Sequence, residues 1–393
     1  MDESEKGPAT DLSRHGAPAG EPPSNGADSS GGEDRIADLI DQIKETADKL
    51  ARDHTSRGDV KILNRTLREL RYAFKVFTPY RRRRKVTVFG SARTKPHEPA
   101  FLQAVAFGRA MAEHHWLVVT GAASGIMEAG HLGAGRELSM GLNIMLPFEQ
   151  YANPVIAGDG KLVHMKYFFT RKLMFVKECD AVCLLPGGFG TLDEGLEVLT
   201  LLQTGKRDMA PVVFLDAPGG EFWRELLDFF DRRLMGDRLI SPEDRSLYKL
   251  TDRVDEAVSE ILGFFHAYHS MRYVKSKLVL RLTRRPTAEL MARINQDFRD
   301  ILVDGDFKLG GPMGEERDEP ELAALPRLIF RFTRRHLGRL RQLIDAINRG
   351  PTEPAPALGP ADKIPPSHQL PTAGDDIAVS SPDSSPASDA PAE

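Results

Sequence analysis

A short glycine-rich turn, set between an apolar run and an apolar helical pattern, constrains the fold of this sequence most. Residues 181–185 read AVCLL, residues 186–197 read PGGFGTLDEGLE, and leucines at 192, 196, 199 and 202 then repeat at helical spacing. We therefore predict a buried strand that passes through a tight turn directly into a helix. Glycines let the backbone approach a ligand closely, and the first turn of a helix presents unpaired amide N–H groups. The stretch is a candidate phosphate site, and a plain capped turn is the alternative.

Three polar residues of this turn have different expected roles. We predict that Thr191 caps the helix and offers its hydroxyl to the same anion. Asp193 and Glu194 would repel a phosphate, so we expect one of them to reach past it to sugar hydroxyls.

Strand-like and helix-like patterns alternate along residues 86–234. The apolar runs are 86–89, 116–120, 142–146, 181–185 and 211–215, and the helical patterns are 98–114, 126–138, 168–179, 192–202 and 221–234. This alternation predicts an α/β fold with a doubly wound, Rossmann-like parallel sheet. Glycine-bearing turns at 90–91, 121–125 and 186–190 each follow a strand, where such sheets bind ligands. A nucleotide cleft is therefore expected, although the GAASG sequence at 121–125 lacks the GxGxxG spacing and argues against NAD.

Composition limits the classes of protein that remain. The chain has 393 residues, of which 41% are hydrophobic and 28% charged, with a formal net charge of −4. These values suit a soluble globular protein and argue against wholesale nucleic-acid binding. No apolar run of about 18 residues would span a membrane and no apolar signal core is visible, so we expect a cytoplasmic protein. Cys179 and Cys183 are interpreted as reduced core thiols, and no metal site is predicted.

The chain divides into five predicted segments. Residues 1–33 and 351–393 are rich in Gly, Ser, Pro, Ala and acidic residues and are predicted to be disordered tails. Residues 34–80 form a helical N-terminal segment with helices over 36–50 and 60–77, and residues 81–270 form the Rossmann-like domain. An α+β extension covers 271–350, with a strand pattern over 273–282, a helix over 288–302 and a basic helix over 325–347.

Three stretches carry a resemblance to a known family. They are TGAASGIMEAGHLGAG at 120–135, GLNIMLPFEQYANP at 141–154, and 165–206, where Arg171 and Lys172 precede PGGFGTLDE. Together they resemble the LOG family of cytokinin-activating and nucleotide phosphoribohydrolases, formerly labelled lysine decarboxylases, over roughly residues 86–269. The RK pair and the PGGxGTxxE motif are intact at the family's spacing. The second glycine turn departs from it, because GAASGIMEAGH stands where GGGPGIMEAAN is usual, with His131 in place of Asn.

The resemblance implies an activity and a set of site residues. The activity is hydrolysis of the N-glycosidic bond of a nucleoside 5′-monophosphate, AMP or a related purine or cytokinin nucleotide, to free base and ribose 5-phosphate. It implies no cofactor and a homodimer or higher homo-oligomer. The implied substrate-binding residues are Glu149, Arg171, Lys172, Gly187, Gly188, Phe189, Gly190, Thr191, Leu192, Asp193, Glu194 and Thr200.

Charge development in the reaction assigns roles to three of them. Glu194 is expected to stabilise the positive charge that grows on the sugar, and Arg171 to meet the departing base. Glu149 is a candidate second carboxylate. A nucleotide sensor that binds the same ligands without turnover is the alternative, and the altered GAASG turn leaves it open.

Overall fold

The computed structural model of the protein describes residues 36–145, 151–316 and 319–354. The chain divides into two units, Met1–Asn64 and Arg65–Glu393. The first unit contains helix α1 (Ala37–Arg52) and the start of helix α2 (Arg57–Phe77). These helices confirm the predicted helical patterns at 36–50 and 60–77 to within three residues. The predicted tails fall almost entirely outside the described residues.

The second unit is built on a seven-stranded parallel sheet, which confirms the predicted α/β doubly wound class. The strand order is β4-β3-β2-β1-β5-β6-β7. The strands are β1 (Lys85–Phe89), β2 (Leu117–Thr120), β3 (Ser139–Ile144), β4 (Leu162–Met165), β5 (Ala181–Leu184), β6 (Val212–Leu215) and β7 (Lys249–Thr251). The helices that cover it are α3 (Pro99–Glu113), α4 (Ile126–Ala134), α5 (Phe168–Glu178), α6 (Phe189–Gln203), α7 (Phe222–Phe229) and α8 (Val254–Phe264). A π-helical segment, Phe230–Met235, extends α7.

Strand order reverses between β1 and β5, which places the carboxyl ends of these two strands side by side. β1 pairs with β2 on one side and with β5 on the other, in the register Phe89 to Leu184. Every residue of β1, β2, β5 and β6 is buried, because helices cover both faces of the sheet. The two edge strands β4 and β7 were not predicted. They are short, and each carries an exposed polar residue, His164 or Lys249, which hides the apolar signal.

The C-terminal extension contains a second, antiparallel sheet in the order β11-β12-β9-β8. Its strands are β8 (Tyr268–Val274), β9 (Lys277–Leu282), β11 (Lys308–Gly310) and β12 (Arg327–Phe330), while β10 (Arg284–Pro286) pairs with β13 (Thr352–Pro354). Helices α9 (Ala288–Asp297) and α10 (Leu337–Arg349) accompany these strands. The pattern over 273–282 is thus two strands joined as a hairpin, and a 3-10 turn, Arg299–Ile301, replaces the last part of the helix predicted over 288–302.

The prediction of one basic helix over 325–347 is wrong. Strand β12 occupies the start of this stretch between two partner strands, and its residues Leu328 and Phe330 are buried in the core. Arg327 of β12 is fully buried against Glu316, so its charge belongs to an interior ion pair rather than to an exposed helix face. The helix itself begins only at Leu337. No helix in the described part of the chain is both long and apolar enough to cross a membrane.

Candidate active site

The three glycine-bearing turns meet at one edge of the sheet, as the sequence predicts. The Ser91 amide after β1 donates to the Pro186 carbonyl after β5, at 3.1 Å. The Ile126 amide, at the start of α4, donates to the Ser91 carbonyl at 3.0 Å. The end of β1 therefore ties the other two turns together where the strand order reverses.

Glycines in these turns fall into two groups. A Cβ on Gly125, whose φ is +67°, would lie 2.3 Å from the Ser91 carbonyl oxygen, and one on Gly187 would lie 2.2 Å from Thr191 Oγ1. These positions need glycine for packing. A Cβ on Gly188 or Gly190 would meet no atom of the described residues within 4 Å, and both glycines are exposed. Open space therefore borders the turn on the side of Gly188 and Gly190.

Helix α6 begins inside this turn, with Gly188 as its N-cap and no side chain capping it. The expectation that Thr191 caps the helix is therefore wrong: Thr191 is the third helical residue and is buried against Gly187. Its amide donates to the Gly188 carbonyl at 3.0 Å. Among the described residues the amides of Phe189 and Gly190 have no backbone acceptor, so they are the free donors at the positive end of the helix dipole.

Arg171 of α5 and Glu194 of α6 form the buried centre of the site. Arg171 Nη2 lies 3.9 Å from Glu194 Oε1, and the side chains are 14% and 5% exposed. Burial raises the pKa of Glu194 to about 7, although the positive charges of Lys172 and Arg171 oppose the rise. The carboxyl group is thus poised to change protonation near neutral pH.

The guanidinium of Arg171 is poorly satisfied for a buried cation. Its Nε is buried without a hydrogen-bond partner among the described residues. The group lies 5.0 Å from the centre of the Phe168 ring and 5.7 Å from that of Phe175. Burial lowers the pKa of Arg171, and the carboxylate of Glu194 opposes this. A buried charge with so few partners is costly unless a ligand completes its environment.

Lys172 pairs with two carboxylates of helix α6. Its Nζ contacts Glu197 Oε2 at 2.8 Å and Asp193 Oδ2 at 2.9 Å. Burial lowers the pKa of Lys172, but these hydrogen bonds raise it by more and hold it above its usual value. Lys172 and Asp193 therefore pair with each other at the rim, while Arg171 and Glu194 lie inside.

The remaining predicted residues occupy different places. Phe189 is 93% exposed at the start of α6, whereas Leu192 is partly buried against the hydrophobic core, which leaves little of its side chain for a ligand. Thr200 is exposed and its hydroxyl donates to the Leu196 carbonyl within the helix. Glu149 lies outside the described residues.

A buried network that the sequence did not predict holds the second glycine turn. Burial lowers the pKa of His131 to about 4, so its ring is neutral. His131 Nε2 lies 3.0 Å from the Met140 carbonyl oxygen and Nδ1 lies 3.2 Å from Asn153 Nδ2. Asn153 in turn donates its backbone amide to the Ala122 carbonyl and its side-chain amide to the Ala123 carbonyl. The sequence signal for this network was His131, which stands where the LOG family usually has Asn. The partners of His131 lie too far away in sequence to be inferred.

Ala122 adopts φ +59°, a conformation that favours glycine. Its carbonyl and that of Ala123 are the groups that Asn153 holds.

Cys179 and Cys183 are buried and form no disulfide, in agreement with the prediction of reduced core thiols. Burial raises the pKa of the Cys179 thiol to about 12. Across the described ranges, no group of three or more His, Cys, Asp or Glu residues could hold a metal ion.

Comparisons with known proteins place this site in a wider context. A family model described as "Possible lysine decarboxylase" matches residues 120–261. The cytokinin riboside 5′-monophosphate phosphoribohydrolase LOG1 of Arabidopsis thaliana is 32% identical over 120 residues, which are 30% of this chain and 54% of that protein. The phosphoribohydrolase LOG7 of the same plant is 29% identical over 187 residues, 45% of this chain and 81% of that protein. The chain thus spans about half the length of the first relative and four fifths of the second.

Among solved structures, the molybdenum cofactor binding protein of Rippkaea orientalis is similar to this chain. Its sequence is 17% identical, and the match covers 45% of this chain and 94% of that chain with a TM-score of 0.32. The fold follows from the strand order and parallel pairing of the seven-stranded sheet.

Proposed function

We propose that this chain, which is similar to the LOG phosphoribohydrolases, hydrolyses the N-glycosidic bond of a nucleoside 5′-monophosphate. The products are the free base and ribose 5-phosphate. The expected substrates are AMP or a related purine or cytokinin nucleotide. The observation that carries the proposal is the buried pair of Arg171 and Glu194, at the strand-order reversal and beside the open face of Gly188 and Gly190.

The chemistry of the bond explains why these two groups would be needed. Water attacks C1′ as the bond to the base breaks, and the sugar acquires oxocarbenium character. The carboxylate of Glu194 stabilises this positive charge directly or orients the attacking water. Arg171 faces the base, where negative charge grows. Because arginine stays protonated in proteins, it acts as a fixed charge and donor rather than as a proton source.

The start of α6 is the proposed phosphate site. The free amides of Phe189 and Gly190 and the positive end of the helix dipole favour an anion there. Gly188 and Gly190 leave room for phosphate oxygens to approach the backbone. Asp193 is held by Lys172 at the rim, which reduces its repulsion toward the phosphate. Glu149 is a further candidate carboxylate for the sugar.

Release of ribose 5-phosphate from a panel of nucleoside 5′-monophosphates tests the proposal. The panel holds AMP, GMP, CMP, UMP and an N6-isopentenyl AMP, each compared with its nucleoside. We expect at least one purine monophosphate to give base and ribose 5-phosphate in equal amounts, and its nucleoside to react far more slowly. If the nucleotides bind but no ribose 5-phosphate is released, the chain is better described as a nucleotide sensor than as an enzyme.

Further parts of the proposal concern the whole chain. We propose that residues 81–270 form the catalytic domain, that 34–80 are a helical segment and that 271–350 are an α+β extension. We also propose a homo-oligomer that acts in the cytoplasm. Cell fractionation and light scattering on the full chain test these two statements.

A further inference from the structure

Helix α1 presents an apolar stripe that none of the described residues of its own unit covers. Ile36, Leu39, Ile40 and Ile43 lie on one side at helical spacing and are 50%, 53%, 42% and 46% exposed. None of the 16 residues of α1 is buried. A helix of this length gains most of its stability from packing an amphipathic face. This stripe therefore needs a partner surface.

Helix α2 presents a second stripe with the spacing of a coiled-coil seam. Val60, Leu63, Leu67, Leu70, Phe74 and Phe77 alternate three and four residues apart over the whole helix. Phe77 at the C-terminal end is 1% exposed, but Val60, Leu63 and Leu67 are 39%, 48% and 52% exposed. The seam is thus buried at one end and uncovered at the other. Val60 and Leu63 stay exposed although α1 belongs to the same unit.

The charges of the two helices are complementary. Helix α1 carries Asp38, Asp41, Glu45 and Asp48 against three cations, a net charge of about −1. Helix α2 carries six Lys and Arg residues against Asp59 and Glu69, a net charge of about +4. Two copies of α2 side by side would repel each other, whereas α1 against α2 brings opposite charges together.

We propose that the exposed seam of α2 is covered by helix α1 of a second copy of this chain. The exchange is reciprocal, because a two-fold axis gives each copy the same pair of contacts. The two α1 and two α2 helices then form a four-helix bundle with apolar residues inside and opposite charges along its edges. The bundle is a self-association surface outside the α/β sheet and the proposed active site.

Solution mass of the full chain tests the surface. The matched pair of variants is Leu63→Glu with Leu67→Glu on the seam, and Leu102→Glu, which alters a side chain that is 56% exposed on α3. We expect the wild type and Leu102→Glu to scatter light as two chains at micromolar concentration. The seam variant should scatter as half the wild-type mass with its circular dichroism retained. A wild-type monomer, or a seam variant that folds and keeps the wild-type mass, would overturn the proposal.

Cross-linking distinguishes contact with α1 of a second copy from contact with α1 of the same chain. It also needs no charged substitution. Chains carrying Ile43→Cys and one tag are mixed with chains carrying Leu63→Cys and another tag, then treated with a short bis-maleimide. Native Cys179 and Cys183 are buried and do not compete. We expect a covalent heterodimer with both tags, at least tenfold above the level with Leu102→Cys in place of Leu63→Cys. A link formed only within one chain, in the double variant Ile43→Cys with Leu63→Cys, would assign the seam to the chain's own α1 and overturn the proposal.

Discussion

Arg171 Nη2 and Glu194 Oε1 lie 3.9 Å apart, too far for a hydrogen bond, although both side chains are almost completely buried. Both charges have lost most of their contact with water, and the ion pair compensates only part of that cost. Arg171 Nε lacks any partner in the described part of the chain, and burial raises the pKa of Glu194 to about 7. Such an arrangement lowers stability, and a bound nucleotide would explain why it is present.

Replacement of Arg171 by Met should therefore separate stability from activity. Met keeps the apolar contacts with Phe168 and Phe175, and Glu194 can take up a proton when its cation is removed. We expect the melting temperature to stay within about 2 °C of wild type or to rise. Release of base should fall by about a hundredfold or more, while ribose 5-phosphate still binds.

The matched control for Arg171 is Arg84→Met. Arg84 Nη1 donates to Asp180 Oδ1 at 2.8 Å, so this variant breaks a well-formed buried pair. It should lower the free energy of unfolding by about 3 to 5 kcal/mol. If Arg171→Met destabilises the protein as much as Arg84→Met does, Arg171 is a structural residue.

Acid should reduce the activity through Glu194. Because burial raises the pKa of this carboxyl group to about 7, kcat/KM should rise with pH through about 7 and level off above it. Stability should change in the opposite direction. The folded pKa exceeds the unfolded value of 4.5, so the folded state binds more protons, and stability is lost as pH rises from 4.5 through 7. A pH–rate profile that is flat between about pH 5.5 and 8.5 would contradict this assignment.

Glycine substitutions should distinguish packing from ligand approach. Gly188→Ala and Gly190→Ala place a methyl group in open space, so melting temperature should change little and affinity for the nucleotide phosphate should fall by about tenfold or more. Gly187→Ala is the contrast, because its Cβ would meet Thr191 Oγ1 at 2.2 Å and unfolding should become easier. Isothermal titration with AMP and with adenosine checks the result. Equal weakening of both ligands would show that the turn does not hold the phosphate.

The sequence predicted the sheet well because buried parallel strands are continuous apolar runs, and three of the five predicted strands are followed by a glycine turn. It could not predict β4 and β7, whose three or four residues include exposed polar side chains. It placed Arg171 and Glu194 in one site through the family motif. Their separation and the unpartnered Nε depend on the packing of α5 against α6, which spacing along the chain does not encode.

Glu69 connects helix α2 to the start of the helix that carries Arg171. Its carboxylate accepts hydrogen bonds from the Lys166 amide at 2.9 Å, from Thr170 Oγ1 at 2.8 Å and from Arg65 Nε at 2.6 Å. Burial raises the pKa of Glu69, but these hydrogen bonds lower it by a larger amount. The pKa of Glu69 therefore lies below its usual value. Glu69→Gln should lower the free energy of unfolding by about 1 to 3 kcal/mol. It should also lower kcat more than it raises KM, because the N-terminal end of α5 loses its anchor.

The control for Glu69 is Glu315→Gln in the C-terminal extension, whose carboxylate makes an exposed ion pair with Lys275. This variant should change neither stability nor turnover measurably. A Glu69→Gln protein that is less stable yet has wild-type kcat and KM at a temperature where it is fully folded would show that Glu69 supports the fold alone.

The most direct test of the central claim compares wild type with Glu194→Gln on the best substrate of the panel. Gln keeps the shape and most of the hydrogen-bonding capacity of Glu194 but removes its charge, and Glu197→Gln, one turn further along α6, is the matched control. If Glu194 stabilises charge that exists only in the transition state, Glu194→Gln should bind the nucleotide with nearly wild-type affinity and release base about a hundredfold more slowly or worse. Glu197→Gln should stay within about fivefold of wild type, the scale of a partly exposed ion pair worth about 1 kcal/mol. A Glu194→Gln enzyme with unchanged turnover and a raised Michaelis constant would contradict the account, because Glu194 would then only hold the substrate.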